Sequence, residues 1–310
     1  RTVKKLTAGI RSLLKQAKVE LVSQHATVIG DHQVRLADST VVEASVIIIA
    51  TGSSSMTIPV QGIDSPLVMD SDRFLDLDTV PKRLAIIGGG VIGVEFASIH
   101  QAFGSEVTII EAEQTILPMF DAQAVTAVSD SLKKRGVAIR TGSSVTNIET
   151  RGKEAVLTLA DGTDLTADLV LLAVGRRSNL ACFADGVAVR TERGCIVTDE
   201  TGMTSSKGIY AAGDVTGRKL LAHAAYQMGE TVAHNACIDA QIISGAKKKF
   251  SLDIVPSVVY AVPEVASVGL TETEAAASYE IVVGKFPLSA NGRALSGGEP
   301  EGFVQVIAEK

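Results

Sequence analysis

The chain has no excess of positive charge, no apolar run long enough for a membrane and no closely spaced cysteines, and each lack removes a class of function. Its 29 Lys and Arg against 35 Asp and Glu give a formal net charge of −6, whereas a nucleic-acid-binding surface normally carries a basic balance. The apolar stretches at residues 46–50 and 169–174 are five or six residues long, far short of the roughly 20 that a membrane helix needs. They read as buried strands. Cys182, Cys195 and Cys237 are 13 and 42 residues apart, which fits neither a Cys-x-x-Cys redox pair, a zinc ribbon nor a disulfide framework. A reducing compartment and no metal site are expected. With 46% apolar and 21% charged residues over 310 positions, the composition is that of about two globular domains.

Apolar residues at 3, 6, 10, 13, 14 and 17, with Lys4, Lys5, Arg11, Lys15 and Lys18 on the other face, predict a surface helix rather than a targeting element. Short strand-like runs follow at 19–22, 26–29, 33–36 and 41–43, and then a buried strand at 46–50 ending in Thr51-Gly52. The Pro-, Ser- and Asp-rich stretch 53–81 reads as a linker. A strand at 83–87 then runs into glycines, an apolar helix continues to about residue 103 and a second strand covers 107–110. This is a β-α-β unit. A helix at 122–135 and more short strands lead to the strand at 169–174 and Gly175. Residues 34–52 align without gaps on residues 157–175, an offset of 123, with seven of nineteen positions identical. Such an ungapped match points to a duplicated unit. If each copy closes a dinucleotide-binding domain, the glycine loop of the first domain is expected before Arg1.

Gly88-Gly89-Gly90-Val91-Ile92-Gly93 fits G-x-G-x-x-G, a weak signal alone that gains force between a strand and a helix. Gly88 permits the tight turn, Gly90 lets the backbone approach a pyrophosphate, and Gly93 lets helix and strand pack closely. The pyrophosphate is expected on the helix N-terminus, where unbonded N–H groups favour an anion. Glu111, 23 residues after Gly88 at the end of the second strand, is placed to accept from the ribose hydroxyls and to repel a 2′-phosphate. No Lys or Arg lies between it and Leu132, so NAD is expected over NADP. Glu95, early in the helix, fits either a dipole-favoured acid or a functional carboxylate. In Gly208-Ile-Tyr-Ala-Ala-Gly-Asp214, an apolar strand ends in a carboxylate suited to a polyol or ribose, though Asp is also a common turn residue. His223, opening a helix that runs to about Cys237, reads on its own as a packing or helix-start histidine.

Together with Val46-IIIATGS, Glu111-AEQTILPMFD, Leu171-LAVGRRSN, Leu220-LAHAA, Val259-YAVPEVASVGLTE and Phe286-PLSANGRAL, these motifs make the chain resemble the pyridine nucleotide–disulfide oxidoreductases over essentially its whole length. Within that family the dihydrolipoamide dehydrogenases are most similar. The resemblance implies an α/β fold of two Rossmann-like dinucleotide-binding domains with three-layer β/β/α architecture, plus the start of an α+β dimerisation domain. The implied divisions are residues 1–55 and 179–254 for the FAD domain, 56–178 for the NAD domain and 255–310 for the interface domain.

It further implies FAD and NAD as cofactors. The family's NAD contacts fall on Gly88, Gly89, Gly90, Val91, Ile92, Gly93, Val94, Glu95, Glu111, Val145 and Gly175. Its FAD contacts fall on Ala26, Thr51, Gly52, Ser53, Asp214, Leu220, Leu221, Ala222 and His223. Glu95 is the family's carboxylate that pairs with a lysine beside the flavin. The implied reaction passes electrons from dihydrolipoyl thiols through a disulfide and FAD to NAD⁺. The implied partners are a second copy of the chain and the lipoyl domain of a 2-oxoacid dehydrogenase complex or glycine cleavage system. No nucleic acid or membrane is expected, and the location is bacterial cytoplasm or mitochondrial matrix. The family's flavin glycine loop, Cys-x-x-x-x-Cys pair and flavin-side lysine are expected before residue 1, and its His–Glu base beyond residue 310, so this stretch alone is expected to be inactive. The rival readings are a mercuric or glutathione reductase relative, and a non-catalytic NAD-binding fragment.

Overall fold

The computed structural model describes residues 2–310, which form two compact units. One is built from Ser53–Ser178, Arg218–Ala224 and Ser251–Lys310. Its centre is an all-parallel sheet in the order Val68–Asp70, Leu169–Leu172, Arg83–Ile87, Glu106–Ile110, Ala138–Arg140. Parallel neighbours need crossovers, and the helices Val91–Ala102 and Ala122–Lys134 supply two of them. Strand residues alternate between faces, and both faces are covered. Leu84, Ile86, Val107, Ile109 and Leu171 pack with Val94, Ala97, Val128 and Leu132 of the helices. Ala85, Ile87, Ile110, Val170 and Leu172 pack instead on the antiparallel meander Val145–Arg151, Glu154–Leu159, Asp164–Ala167 through Ile148, Ala155 and Leu157. Helices, parallel sheet and meander are the three layers of β/β/α architecture. Ile86, Ile109 and Leu171 have no exposed surface, and each contributes about 2 kcal/mol by burial.

The stretch read as a linker is partly built into this unit. Val68–Asp70 joins the sheet as an edge strand, Asp70 caps the short helix Ser71–Phe74 by accepting from Arg73 N–H, and Phe74 is buried. Its loop-forming composition hid a short strand whose pairing comes from Leu169–Leu172, a hundred residues away in sequence. Residues 251–310 add the antiparallel pair Ser257–Val259 with Val265–Ser267, the capping-box helix Glu272–Ala276, and the pair Ile281–Pro287 with Phe303–Glu309.

The other unit takes the chain up to Gly52, Asn179–Gly217 and Ala225–Phe250. It holds the meander Ala26–Gly30, Gln33–Leu36, Val41–Glu43 and the parallel pair Ile47–Ile49 with Ile209–Ala211. Val28, Ile47, Ile49, Ile196, Ile209 and Val215 form its core. The helix Thr2–Gln16 forms with no residue buried. Residues 19–22 form no strand. Val19, Leu21 and Val22 are exposed and no described strand lies beside them, so β-prone residues there lack a ladder to join.

The duplicated segment folds the same way in both units. In the first copy Leu36 N–H donates to Thr40 O at 2.8 Å, and Thr40 N–H donates to Asp38 Oδ1 at 2.9 Å. In the second, Leu159 N–H donates to Thr163 O at 2.8 Å, and Thr163 N–H donates to Asp161 Oδ1 at 2.9 Å. Each hairpin then leads into a parallel strand.

Candidate functional site

In the sheet-centred unit the strand Arg83–Ile87 ends at Gly88, whose φ of +111° is open to glycine alone at low cost. A Cβ on Gly88 would also stand 2.3 Å from Ala173 O, and one on Gly93 would stand 2.0 Å from Gly88 O. Both glycines are therefore fixed by close backbone approach. Gly90 is different: nothing lies within 4 Å of where its Cβ would be. It is the N-cap of Val91–Ala102 and makes no side-chain cap bond. A first helical turn leaves its N–H groups without intrahelical partners, so this terminus is bare backbone with a positive dipole end.

These groups open into a cleft of about 1840 Å³ within the same unit. Of the NAD candidates, Gly88, Gly90, Val91, Ile92, Glu111, Val145 and Gly175 line it; Gly89, Gly93, Val94 and Glu95 do not. The Glu111 carboxylate reaches the loop itself. Its Oε2 accepts Gly89 N–H at 2.6 Å and its Oε1 accepts Glu113 N–H at 2.8 Å. A carboxylate has about four acceptor positions, so ribose hydroxyls can still bond to it, but its orientation is already set. Glu95, half-buried on the helix, accepts Tyr260 N–H at 2.9 Å and so holds the end of the strand Ser257–Val259.

The FAD candidates fall on both units. In the unit that holds the strand Ile47–Ile49, Thr51 and Gly52 follow that strand, while Gly213 and Asp214 follow its parallel neighbour Ile209–Ala211. Thr51 Oγ1 donates to Asn179 O at 2.7 Å, and Asn179 Nδ2 donates to Thr51 O at 3.0 Å. Gly52 and Gly213 have φ of +66° and +76°. Asp214 is half-buried in the 3₁₀ turn Gly213–Thr216, and Ala26 is exposed at the start of the strand Ala26–Gly30. In the other unit, Ser53 accepts from Arg176, whose Nε bonds Ser53 Oγ and whose Nη2 bonds Ser53 O, both at 2.8 Å. Leu220 and Leu221 line the cleft. Ala222 starts the helix Ala222–Asp239, and His223 Nε2 lies 2.7 Å from Pro256 O.

Pro118, Met119, Phe120, Ser143, Ser144 and Arg176 also line the cleft and are not among the cofactor-binding candidates the sequence offers. They lie in the segments following the C-terminal ends of Glu106–Ile110, Ala138–Arg140 and Leu169–Leu172. Open α/β sheets take ligands at those ends, so counting strand ends rather than glycines finds them. Burial pushes the Cys182 thiol above its ordinary range, which disfavours the nucleophilic thiolate.

A family model described as pyridine nucleotide-disulphide oxidoreductase matches residues 1–229, and the model of that family's dimerisation domain matches residues 255–310. Dihydrolipoyl dehydrogenase from Thermus scotoductus is 41% identical over 318 residues, covering 99% of this chain and 66% of that protein. The dihydrolipoyl dehydrogenase of Chlamydia muridarum is 37% identical over the same shares. Among solved structures, the HOCl-induced flavoprotein disulfide reductase RclA from Escherichia coli superposes with a TM-score of 0.85 at 29% identity, over 94% of this chain and 66% of that one. The chain thus spans just under two thirds of the length of these relatives. On the family model's match to residues 1–229, the chain belongs to the pyridine nucleotide-disulphide oxidoreductase family.

Proposed function

We propose that the chain carries the NAD site and part of the FAD site of a dihydrolipoamide dehydrogenase-like flavoprotein, which passes electrons from dihydrolipoyl thiols through a disulfide and FAD to NAD⁺. The observation that carries this reading is the bare helix terminus at Gly90 beside the fixed Glu111 carboxylate on one cleft. The bound cofactors supply hydride transfer between a reduced flavin and a nicotinamide.

The chain's own residues bind, orient and select. The N–H groups at Gly90, Val91 and Ile92 receive the pyrophosphate, with Gly88 and Gly93 keeping the turn tight. Glu111 selects NAD⁺ over NADP⁺, because two backbone N–H bonds hold its negative charge where a 2′-phosphate would have to sit. In the other unit, Thr51, Gly52, Gly213 and Asp214 stand at the ends of neighbouring parallel strands, a place suited to a dinucleotide, and Asp214 accepts from the hydroxyls of the flavin's ribityl chain. Glu95 supports the nicotinamide side by fixing the backbone at Tyr260. The working protein pairs with a second copy through residues 255–310, meets a lipoyl domain and acts in bacterial cytoplasm or the mitochondrial matrix. Among the described residues no helix is long and apolar enough to cross a membrane.

These 310 residues hold no Cys-x-x-x-x-Cys pair, so the chain by itself is expected to bind NAD⁺ without reducing it. Calorimetric titration should give NAD⁺ binding at least about tenfold tighter than NADP⁺, the worth of one charged contact. Equal affinities would remove the assignment to Glu111. NADH appearing when the chain alone is given dihydrolipoamide and NAD⁺ would overturn the division of labour.

A further inference from the structure

The segment that follows Glu111 holds the glycine loop from behind. Leu117 N–H donates to Gly89 O at 2.9 Å, while Gly89 N–H donates to Glu111 Oε2 at 2.6 Å. Both polar backbone groups of Gly89 are therefore bonded to residues 111–117. The contact is also close sterically, since a Cβ on Gly89 would stand 2.7 Å from Ile116 Cγ2. The same segment fixes the neighbouring cleft loop, where Gly142 N–H donates to Glu113 O at 2.7 Å and Ser143 N–H donates to Glu111 O at 3.0 Å.

Leu117 achieves its bond in an unusual conformation. Its φ is +49°, the left-handed region that leucine rarely enters, and a residue before proline is ordinarily driven to extended backbone. It is also completely buried, among Ile116, Phe120, Val94 and Leu132. Such a conformation persists only where the surroundings over-determine it, and it clusters at functional sites. Here a consequence follows from peptide geometry. The peptide between Gly89 and Gly90 is planar and trans, so its C=O and N–H point in opposite directions. With the Gly89 carbonyl turned back to Leu117, which lies outside the cleft lining, the Gly90 N–H is turned away from Leu117, and Gly90 does line the cleft.

We infer that Leu117 is a positioning residue for dinucleotide binding: its left-handed backbone holds the Gly89 carbonyl so that the Gly90 N–H is presented to the pyrophosphate. This rests on the NAD reading above and adds to it a residue that touches no ligand. The side chain anchors the turn, and the backbone does the positioning.

The test separates backbone conformation from packing, and pyrophosphate from adenosine. Leu117→Val keeps a buried apolar side chain but resists the left-handed region, whereas Leu117→Gly accepts that region and keeps the N–H while losing the packing. Binding of ADP-ribose and of adenosine to the full chain is measured by competition against NADH fluorescence, beside a thermal unfolding scan. Leu117→Val is expected to weaken ADP-ribose about tenfold, the worth of one hydrogen bond, and to leave adenosine within about twofold. Leu117→Gly is expected to keep ADP-ribose within about threefold although it melts earlier. Unchanged ADP-ribose binding in Leu117→Val overturns the inference, as does equal weakening of both ligands, or Leu117→Gly losing ADP-ribose as fully as Leu117→Val. If the parent chain fails to bind NADH or ADP-ribose, the NAD reading falls, and the inference with it.

Discussion

The two copies of the duplicated segment share their turn bonds and their order of elements, yet one is half exposed and the other buried. In the copy at residues 34–52 the middle residue of the parallel strand, Ile48, is 43% exposed; its counterpart at residues 157–175, Leu171, is fully buried. Val34 and Leu36 of the first hairpin are only half-buried, whereas their counterparts Leu157 and Leu159 in the second are buried. The local geometry is the same because the turn residues are the same: Asp38 and Asp161 each receive the N–H two residues on. What differs is company. Leu169–Leu172 has a parallel strand on either side and layers on both faces, while among the described residues Ile47–Ile49 pairs only with Ile209–Ala211. Short-range sequence thus writes the turn, and long-range neighbours decide how much stability the strand contributes.

That contrast predicts unequal costs at equivalent positions. Leu171→Ala is expected to destabilise by about 3 kcal/mol, the usual loss for a fully buried leucine, and Ile48→Ala by less than about 1 kcal/mol, since its surface is already partly wet. Urea unfolding midpoints of the two variants measure this. Equal losses would show that the copies are held equally well and that exposure does not separate them.

A charged clamp present in one copy only gives a smaller, pH-dependent difference. Asp168 precedes the second copy's strand where the first copy has Ser45. Asp168 Oδ2 accepts Arg83 N–H at 2.9 Å and Oδ1 accepts Arg83 Nη2 at 2.5 Å, while Arg83 Nη2 also reaches Glu154 at 2.6 Å. The hydrogen bonds from Arg83 hold the Asp168 carboxyl below the usual carboxylate range. A carboxyl lowered on folding adds stability that is present above its unfolded value of about 3.9 and is lost as pH falls through the folded value. Asp168→Asn should therefore cost about 1 kcal/mol at pH 7, modest because the pair is partly exposed, and progressively less below about pH 4. Ser45→Ala should stay within about 0.5 kcal/mol at either pH. A pH-independent loss in Asp168→Asn would assign the effect to the backbone contact rather than the charge.

Much of the glycine-loop unit is legible in the sequence because it is written in local chemistry. The glycines at 88, 90 and 93, the strand before them and the acid after the second strand are all short-range signals, and the β-α-β unit forms within a residue or two of its expected bounds. The duplicated hairpins are legible for the same reason. The edge strand Val68–Asp70 is not, since three residues show no alternation and their pairing partner is remote. Nor is Leu117: a leucine before proline gives no sign of left-handed backbone, which is imposed by burial and by the carbonyl of Gly89. Residues 19–22 show the opposite failure, a strand-like composition that pairs with no strand among the described residues.

The finest difference between the copies sits at the tip of each hairpin. Both tips need a left-handed residue, with φ of +70° at Ser39 and +82° at Gly162. Both bond in the same way: Ser39 N–H donates to Leu36 O at 3.0 Å and Gly162 N–H donates to Leu159 O at 2.9 Å. Serine carries a Cβ penalty there that glycine does not, while glycine loses more chain entropy on folding. The two effects oppose, and the steric one is slightly larger at this φ. Ser39→Gly is therefore expected to stabilise the first hairpin by less than about 1 kcal/mol. Nothing lies within 4 Å of a Cβ at Gly162, so Gly162→Ser meets no clash, and its cost is the reverse of the same conformational term. Thermal midpoints moving in opposite directions by similar amounts would show that the tips are interchangeable. Movement at only one tip would mean that the two hairpins differ in more than their surroundings.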